Sequence, residues 1–353
     1  MRFQPYVNKA ASLVRGRKEL PEMADSVETV APEEKGHCPA TIYLEDQLQN
    51  IIAPAPRGRL EDQFARMKAH PVVHRPVLRY ELRDCLVYPN GICVKGANLQ
   101  QFGPLQHRLL LTRPIRELDR AFFSIDRAAM QYFGHWLTDA CTTALLKREE
   151  EALILPTRDS WPDTRFYCGL FDFEPEAGEL FYVRRLSFCE DIAHGSSKHA
   201  RFSELRRRAR RRFSGGKAKK IYIRRGRTGA ERVLHNDDDI TALLEREGFL
   251  VLSVEDQGAE GMLSAGMDAD IVVSMEGSHQ AHAMLMLKDN GVMLTIQPPD
   301  RFNHVFRAVT LGAGLRYATV VAVWSEEDKT RRLDPDSLLR TIELCEKTET
   351  APA

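Results

Sequence analysis

Between residues 221 and 324 the chain alternates short apolar runs with amphipathic segments, and few folds accommodate that rhythm. Strand-like runs fall at 221–223, 250–254, 270–274, 292–296 and 319–324. Helical periodicity fills the intervals at 238–247, 259–265, 280–289 and 301–311, and Gly248 and Gly291 stand where helix C-caps belong. Strand–helix–strand alternation predicts a parallel sheet covered by helices on both faces. Ligands of such sheets bind outside the carboxyl ends of the strands. Neither a GxxxxGK[ST] loop nor a GxGxxG turn occurs, which weighs against an ATPase or a simple dinucleotide dehydrogenase.

At 353 residues the chain is too long for one ordinary core, and its 43% apolar content can fill two. Residues 1–40 read as a polar arm and 41–200 as an α/β domain. Residues 201–220 read as a basic linker helix, 221–330 as the second domain, and 331–353 as a C-terminal helix and tail. In the first domain, 85–88 and 91–94 predict a hairpin about Pro89-Asn90-Gly91. Strands are expected at 109–111, 121–125 and 152–155, and a helix at 132–147. The formal net charge is zero, so global charge points to neither a nucleic-acid nor a membrane partner. The basic helix 201–220 is the one segment suited to peripheral contact with an anionic membrane, but with zero net charge overall a solvated linker face is the favoured reading. No apolar run is long enough to span a bilayer, and the first twenty residues lack the apolar core of a signal peptide. The seven scattered cysteines form no CxxC and read as free thiols, which leads us to expect a cytoplasmic protein.

Three clusters carry residues suited to chemistry. In Phe133-Gly134-His135-Trp136-Leu137-Thr138-Asp139, the His and Asp are four apart and share a helix face. A carboxylate beside an imidazole orients it as a general base, although the same spacing suits a core histidine. Next, Arg224 and Arg225 end the 221–223 strand and are followed by Arg232 and Asn236. Guanidiniums there would grip phosphate without a metal, or simply face solvent. The third cluster is Glu276-Gly277-Ser278-His279 after the 270–274 strand. Ser278 reads as a helix N-cap whose free N–H groups suit a diphosphate, and Glu276 could hold ribose hydroxyls. His279 and His282 share a face, but two histidines without a third ligand make a weak metal motif, and neither metal nor cofactor is expected.

In this order the three clusters resemble glycosyltransferase family 61, which includes bacterial capsular-polysaccharide-type enzymes and eukaryotic xylosyl- and N-acetylglucosaminyltransferases. The likeness runs over residues 122–296. It rests on Gly134-His135-Trp136-Leu137-Thr138-Asp139, on Tyr222-Ile223-Arg224-Arg225 with Arg232 and Asn236, and on Glu276-Gly277-Ser278. Glu276 stands where the family usually has His. The resemblance implies a GT-B architecture, two Rossmann-like domains facing across a cleft. It implies inverting, metal-independent transfer from a nucleotide-sugar donor to a glycan or glycolipid acceptor, in surface polysaccharide synthesis. His135 would be the base with Asp139 orienting it, or Asp139 would act directly. Arg224, Arg225, Arg232, Asn236, Glu276, Gly277, Ser278 and His279 would bind the donor. The alternative is a degenerate transferase that binds nucleotide sugar or glycan without turnover.

Overall fold

The computed structural model describes residues 2–16, 18–56, 58–99, 103–216, 218–226 and 232–348. The chain divides into two compact units, one of residues 1–34 and 74–193, the other of 35–73 and 194–353. The boundary therefore differs from the one the sequence suggests. Residues 35–73 join the second unit through backbone pairing at its sheet edge. Ile42 N–H donates to Tyr317 O at 3.0 Å, and Ile42 O accepts from Thr319 N at 2.9 Å. Residues 349–353 of the predicted tail, and Lys217 of the predicted linker, lie outside the described residues.

The first unit is built on a mixed sheet. The predicted N-terminal arm contains a helix, α1 (Gln4–Arg15). It is pinned by the buried Asn8, whose amide donates to Val94 O and Ala97 O, both at 2.8 Å. The strands are β1 (Ser26–Ala31), β2 (Val77–Tyr88), β3 (Gly91–Val94), β4 (Ala97–Leu99), β5 (Arg116–Phe123), β6 (Ala152–Ile154) and β7 (Phe181–Glu190). Their order is β4-β3-β2-β7-β5-β6, with β1 also paired to β2. The predicted hairpin is present, with Tyr88 opposite Gly91. Only β5, β6 and β7 are mutually parallel, and every other pairing is antiparallel. Rossmann-type pairing is thus confined to three strands of this unit.

The strand expected at 109–111 is instead the helix His107–Thr112, whose Leu110 is buried against Leu86, Tyr88, Cys93 and Leu180. A three-residue apolar run has no period of its own, so packing decides its conformation.

The connections after β5 set up a site. The chain runs from β5 through residues 124–151 to β6 on one side. It returns through α2 (Thr164–Leu170) to β7 on the other side of β5. That reversal leaves a crevice at the carboxyl ends of β5 and β7. A buried ion pair holds this corner. Arg79 on β2 pairs with Glu151, donates to Leu146 O at 3.0 Å, and lies 5.2 Å from the Phe122 ring centre.

The second unit has the fully parallel sheet expected. Its strands are β8 (Lys220–Arg224), β9 (Leu250–Ser253), β10 (Ala269–Met275), β11 (Leu287–Gln297) and β12 (Arg316–Val321), in the order β9-β8-β10-β11-β12. Ile271, Val273, Leu294, Ile296 and Val320 form one buried face. It is covered by Ile240 and Leu244 of α4 (Asp237–Arg246) and by Leu338 and Ile342 of α7 (Pro335–Lys347). Between these helices in the chain come α5 (Val254–Gly266, broken at Gly258) and α6 (Val305–Gly312).

The basic helix α3 (Ser196–Arg212) belongs to this unit and is not a free linker. Phe202, Leu205 and Ala209 are buried, as is Arg206, which donates to Met284 O at 2.8 Å and Leu287 O at 2.7 Å. Arg207 and Arg208 pair with Glu204, Arg210 with Asp268, and Arg212 with Glu260. Much of its positive charge is therefore neutralised within the unit. Among the described residues no helix is long and apolar enough to cross a membrane.

The predicted helix 280–289 is shorter than its pattern. A 3₁₀ turn, Ser278–His282, leads into one α-turn, Ala283–Met286, and β11 begins at Leu287. Gly291 therefore lies inside a strand and is no C-cap, whereas Gly248 follows α4 with φ +81° as predicted.

Burial alone would raise the Glu151 carboxyl, but hydrogen bonds from Arg79, Ser187 and the Arg148 N–H outweigh it and hold the group below its ordinary range. Glu151→Ala would leave the Arg79 charge buried without its partner. We expect it to lower the unfolding free energy by about 3–5 kcal/mol, read from the urea midpoint. The double change Arg79→Met, Glu151→Leu should recover most of that loss.

Candidate active site

His135 and Asp139 sit on an irregular helix. Phe133–His135 is one α-turn, Trp136–Ala140 is a π-turn, and Cys141–Ala144 resumes the α-helix. The Cys141 N–H reaches back five residues to Trp136 O, which marks the wider ring. Such turns insert one extra residue into a helix and recur at functional sites.

Hydroxyls satisfy the carbonyls around the bulge. Ser124 Oγ donates to Ala140 O at 2.7 Å, Thr138 Oγ1 to Gly134 O at 2.9 Å, and Thr142 Oγ1 to Thr138 O at 2.7 Å. Trp136 is fully buried, and its indole N–H donates to Pro156 O at 3.1 Å. Phe133 stacks on Trp136 and packs against Trp161 and Tyr167. One wall of the helix is thus an aromatic anchor, and the other carries the polar pair.

His135 Nδ1 lies 2.6 Å from Asp139 Oδ2. The ring is 24% and the carboxylate 14% exposed, so the pair is sheltered but reachable. With Nδ1–H given to the carboxylate, Nε2 carries the lone pair and can take a proton. Asp139 also lines a cavity at the β5–β7 crevice.

The second cluster lies at the matching place in the second unit. β8 and β10 are neighbours, but β9 lies on the far side of β8, so the sheet reverses direction between them. Arg225 follows β8 and Glu276 follows β10 at this reversal. Arg225 donates to Glu276 O at 2.9 Å, and Arg232 donates to the same carbonyl at 3.0 Å and to the Glu276 carboxylate. Glu276 is 4% exposed. Burial raises its carboxyl pKa, and the charges of Arg232, Arg301 and Arg225 oppose the rise. Burial lowers Arg225 from its ordinary value, reinforced by Arg232 and Arg301. Arg232 thus binds the Glu276 carboxylate directly, while Arg225 and Arg301 act on it through their charge.

Arg301, four residues beyond β11, has no counterpart among the residues singled out from sequence. Its Nε is buried without a hydrogen-bond partner. The usable signal was position: Pro298-Pro299-Asp300-Arg301 leaves the carboxyl end of a central strand.

The remaining sequence-predicted residues separate into two groups. Arg224 neighbours Arg225 in the chain and has different partners. It binds Asp237 at 2.5 Å and also pairs with Asp238, both in the first turn of α4. Asn236 exchanges two hydrogen bonds with the Leu333 backbone, donating at 2.8 Å and accepting at 3.0 Å. Both have their polar ends occupied by protein.

Ser278 does not cap a helix. The cap position is Gly277, no side chain bonds there, and the helical turns beyond it are too short to concentrate a dipole. His279 instead belongs to the arginine cluster. Its Nε2 lies 2.8 Å from Ser274 Oγ, and Ser274 Oγ donates to Ile223 O at 2.8 Å. The Ser274 proton is used on that carbonyl, so His279 Nε2 is the donor and Nδ1 faces Arg225 Nη1 at 3.4 Å. Burial, with Arg225 next, keeps this imidazole neutral by lowering its pKa well below the ordinary value.

Residues 133–293 match the family model of Glycosyltransferase 61. The match spans both clusters and stops short of Arg301. Among curated proteins none matches this chain.

Gly277 has φ +153°, and a Cβ placed on it would stand 2.1 Å from Arg225 Nη1 and 3.1 Å from His279 Nδ1. Gly277→Ala should therefore cost about 1–3 kcal/mol in backbone strain and displace Arg225. Chemical denaturation measures the first effect. A variant as stable as the parent would show that the arginine is not held by this close approach.

Proposed function

We propose that the protein is an inverting glycosyltransferase of GT-B type, with the nucleotide-sugar donor held by the second unit and a carbohydrate acceptor by the first. The reading is carried by the gathering of Arg225, Arg232 and Arg301 about the buried Glu276 at the β8–β10 reversal. A nucleoside diphosphate is the ligand class that such a cluster of guanidiniums suits when no Gly-rich phosphate loop is present. The family match over 133–293 supports the same class. Surface polysaccharide is the acceptor material this family reading favours.

In this mechanism Arg225, Arg232 and Arg301 hold the diphosphate, with Gly277 giving Arg225 room. Glu276 and His279 set the arginines in place. The acceptor hydroxyl oxygen attacks the anomeric carbon from the face opposite the diphosphate. His135 Nε2 takes the hydroxyl proton, and Asp139 stabilises the imidazolium that forms. The bond from the anomeric carbon to the diphosphate oxygen breaks, and its electron pair leaves with the nucleotide. The guanidiniums neutralise that charge, so the step needs no metal. Arg224 and Asn236 serve the scaffold here, although the sequence alone had suggested both as donor ligands. Ser278 remains beside the cluster as a backbone contact for the donor.

The first test is a thermal-shift screen against nucleotides and nucleotide sugars, because a ligand that binds the folded state raises its melting temperature. With the donor found, His135→Ala should abolish transfer and leave donor affinity nearly unchanged. Arg225→Ala and Arg301→Ala should each reduce the transfer rate by about 10²–10³-fold. Activity should survive EDTA. Full transfer by the His135 variant would overturn the base assignment, and no stabilisation by any nucleotide would overturn the transferase reading.

A further inference from the structure

A helix lying on a protein surface normally turns its apolar side inward and its polar side to water. The helix α1 does the reverse. Its inward side is held by hydrogen bonds: the buried Asn8 donates to Val94 O and Ala97 O, and Asn98 donates to Pro5 O at 2.8 Å. With about 100° between successive residues, Val7, Ala10 and Val14 share the side opposite Asn8 and Pro5. Phe3, Val7, Leu13 and Val14 are 67%, 57%, 83% and 87% exposed. Single apolar residues on a surface are ordinary, but four on one short helix and its cap form a patch. The helix cannot roll to bury them without breaking the Asn8 bonds.

The charge around this face has one sign. Among the elements packed on α1 are the β3–β4 hairpin, through Asn8, and the helix His107–Thr112. Tyr6 stacks on His107, and Arg2 donates to Leu110 O at 2.9 Å. That second helix also exposes Leu111. Residues 1–18, 91–99 and 105–113 contain Arg2, Lys9, Arg15, Arg17, Lys18, Lys95, Arg108 and Arg113, and no Asp or Glu. Arg113 is paired with Glu179 at 2.7 Å. Glu19 and Glu22, next along the chain, are joined in a capping box. Lys9, Lys18, Lys95 and Arg108 are exposed and make no ion pair among the described residues. The basic helix α3 differs, because its arginines pair with Glu204, Asp268 and Glu260.

We propose that α1 is an interfacial helix that holds the protein on an anionic lipid surface. Phe3, Val7, Leu13 and Val14 enter the boundary between headgroups and acyl chains, and the lysines around them meet lipid phosphates. A second copy of the same face is a poorer occupant, since it would set cation against cation. The proposal is independent of the transferase reading, because α1 supplies no residue to either candidate cluster.

The test is co-sedimentation of the full chain with vesicles of phosphatidylcholine, with and without about 30% phosphatidylglycerol, in about 0.1 M NaCl. The anionic vesicles should bind at least about tenfold more tightly than the neutral ones. Leu13→Gln with Val14→Gln should weaken that binding at least about tenfold, with the melting temperature unchanged because both side chains are mostly exposed. Lys9→Glu with Lys18→Glu should weaken it by a similar factor. Failure to bind anionic vesicles, equal binding to neutral ones, or unchanged binding by the Leu13, Val14 variant would each overturn the proposal. A dimer in sedimentation velocity that this variant abolishes, without vesicle binding by the parent, would assign the face to a second copy instead. Should the variants fail to fold, salt decides on the parent: about 0.5 M NaCl must weaken binding, and a salt-insensitive affinity refutes the charge complementarity. Nucleotide-sugar thermal shifts should be the same in parent and variants. Vesicle binding without any nucleotide response leaves this proposal standing and removes only the transferase reading.

Discussion

Parallel strands cannot be joined by a tight turn, so each connection must cross a face of the sheet and return to the same end. Where successive crossovers leave in opposite directions, the loops at the carboxyl edge part and a crevice remains. The chain makes that reversal once in each unit, between β5 and β7 and between β8 and β10. Asp139 reaches the first crevice, and the Arg225–Glu276 contact closes over the second. The same constraint explains why so many of the chemically suggestive residues follow strands. Arg225, Glu276, Arg301, Asp126 and Asp191 all lie within a few residues of a strand's carboxyl end.

Reversal provides space, but the two crevices are equipped by different physics. In the second unit the decisive cost is desolvation. Burying Glu276 disfavours its charged form, and burying Arg225 disfavours that charge too. Each is tolerable because the other is near. In the first unit the decisive element is backbone geometry. A regular helix would continue the Phe133–His135 turn with every carbonyl paired at four residues. The π-turn widens it, and Ser124, Thr138 and Thr142 supply hydroxyls to the loosened carbonyls. Aromatic packing on Trp136 fixes one side of that turn, so the His135–Asp139 side has a defined position.

The parallel sheet was legible because its strands, apart from the edge strand β9, have cores buried on both faces and therefore read as unbroken apolar runs. All five strands from β8 to β12 lie where the pattern put them, within a few residues. The first unit was less legible because long antiparallel strands such as β2 carry mixed faces, and Leu109–Leu111 had no period to distinguish helix from strand. Residues 35–73 are held to the second unit by backbone bonds from Ile42 and by packing of Leu48, Ile51, Phe64 and Met67 with Phe302 and Val321, contacts too distant in sequence for a local pattern to announce. Among site residues, the His135–Asp139 contact followed from helical spacing. The different partners of Arg224 and Arg225 did not, because the acids that claim Arg224 lie 13 and 14 residues further along the chain. Arg301 escaped notice since its relation to Glu276 is made by the sheet and not by proximity in sequence.

Glu276 shows how a departure from a family pattern acquires sense from its neighbours. A ribose contact seemed the natural role for a carboxylate at this position. The side chain is instead 4% exposed and committed to Arg232. Its main-chain oxygen collects Arg225 and Arg232 together. An imidazole at position 276 could donate to a phosphate directly, whereas an ionised carboxylate cannot. A carboxylate can, however, hold guanidiniums that do so. On the proposed reading, a donor phosphate would be met one side chain further out, by the arginines that Glu276 positions. The third arginine, Arg301, comes from a different strand end, so the sheet and not the local motif brings it to Glu276.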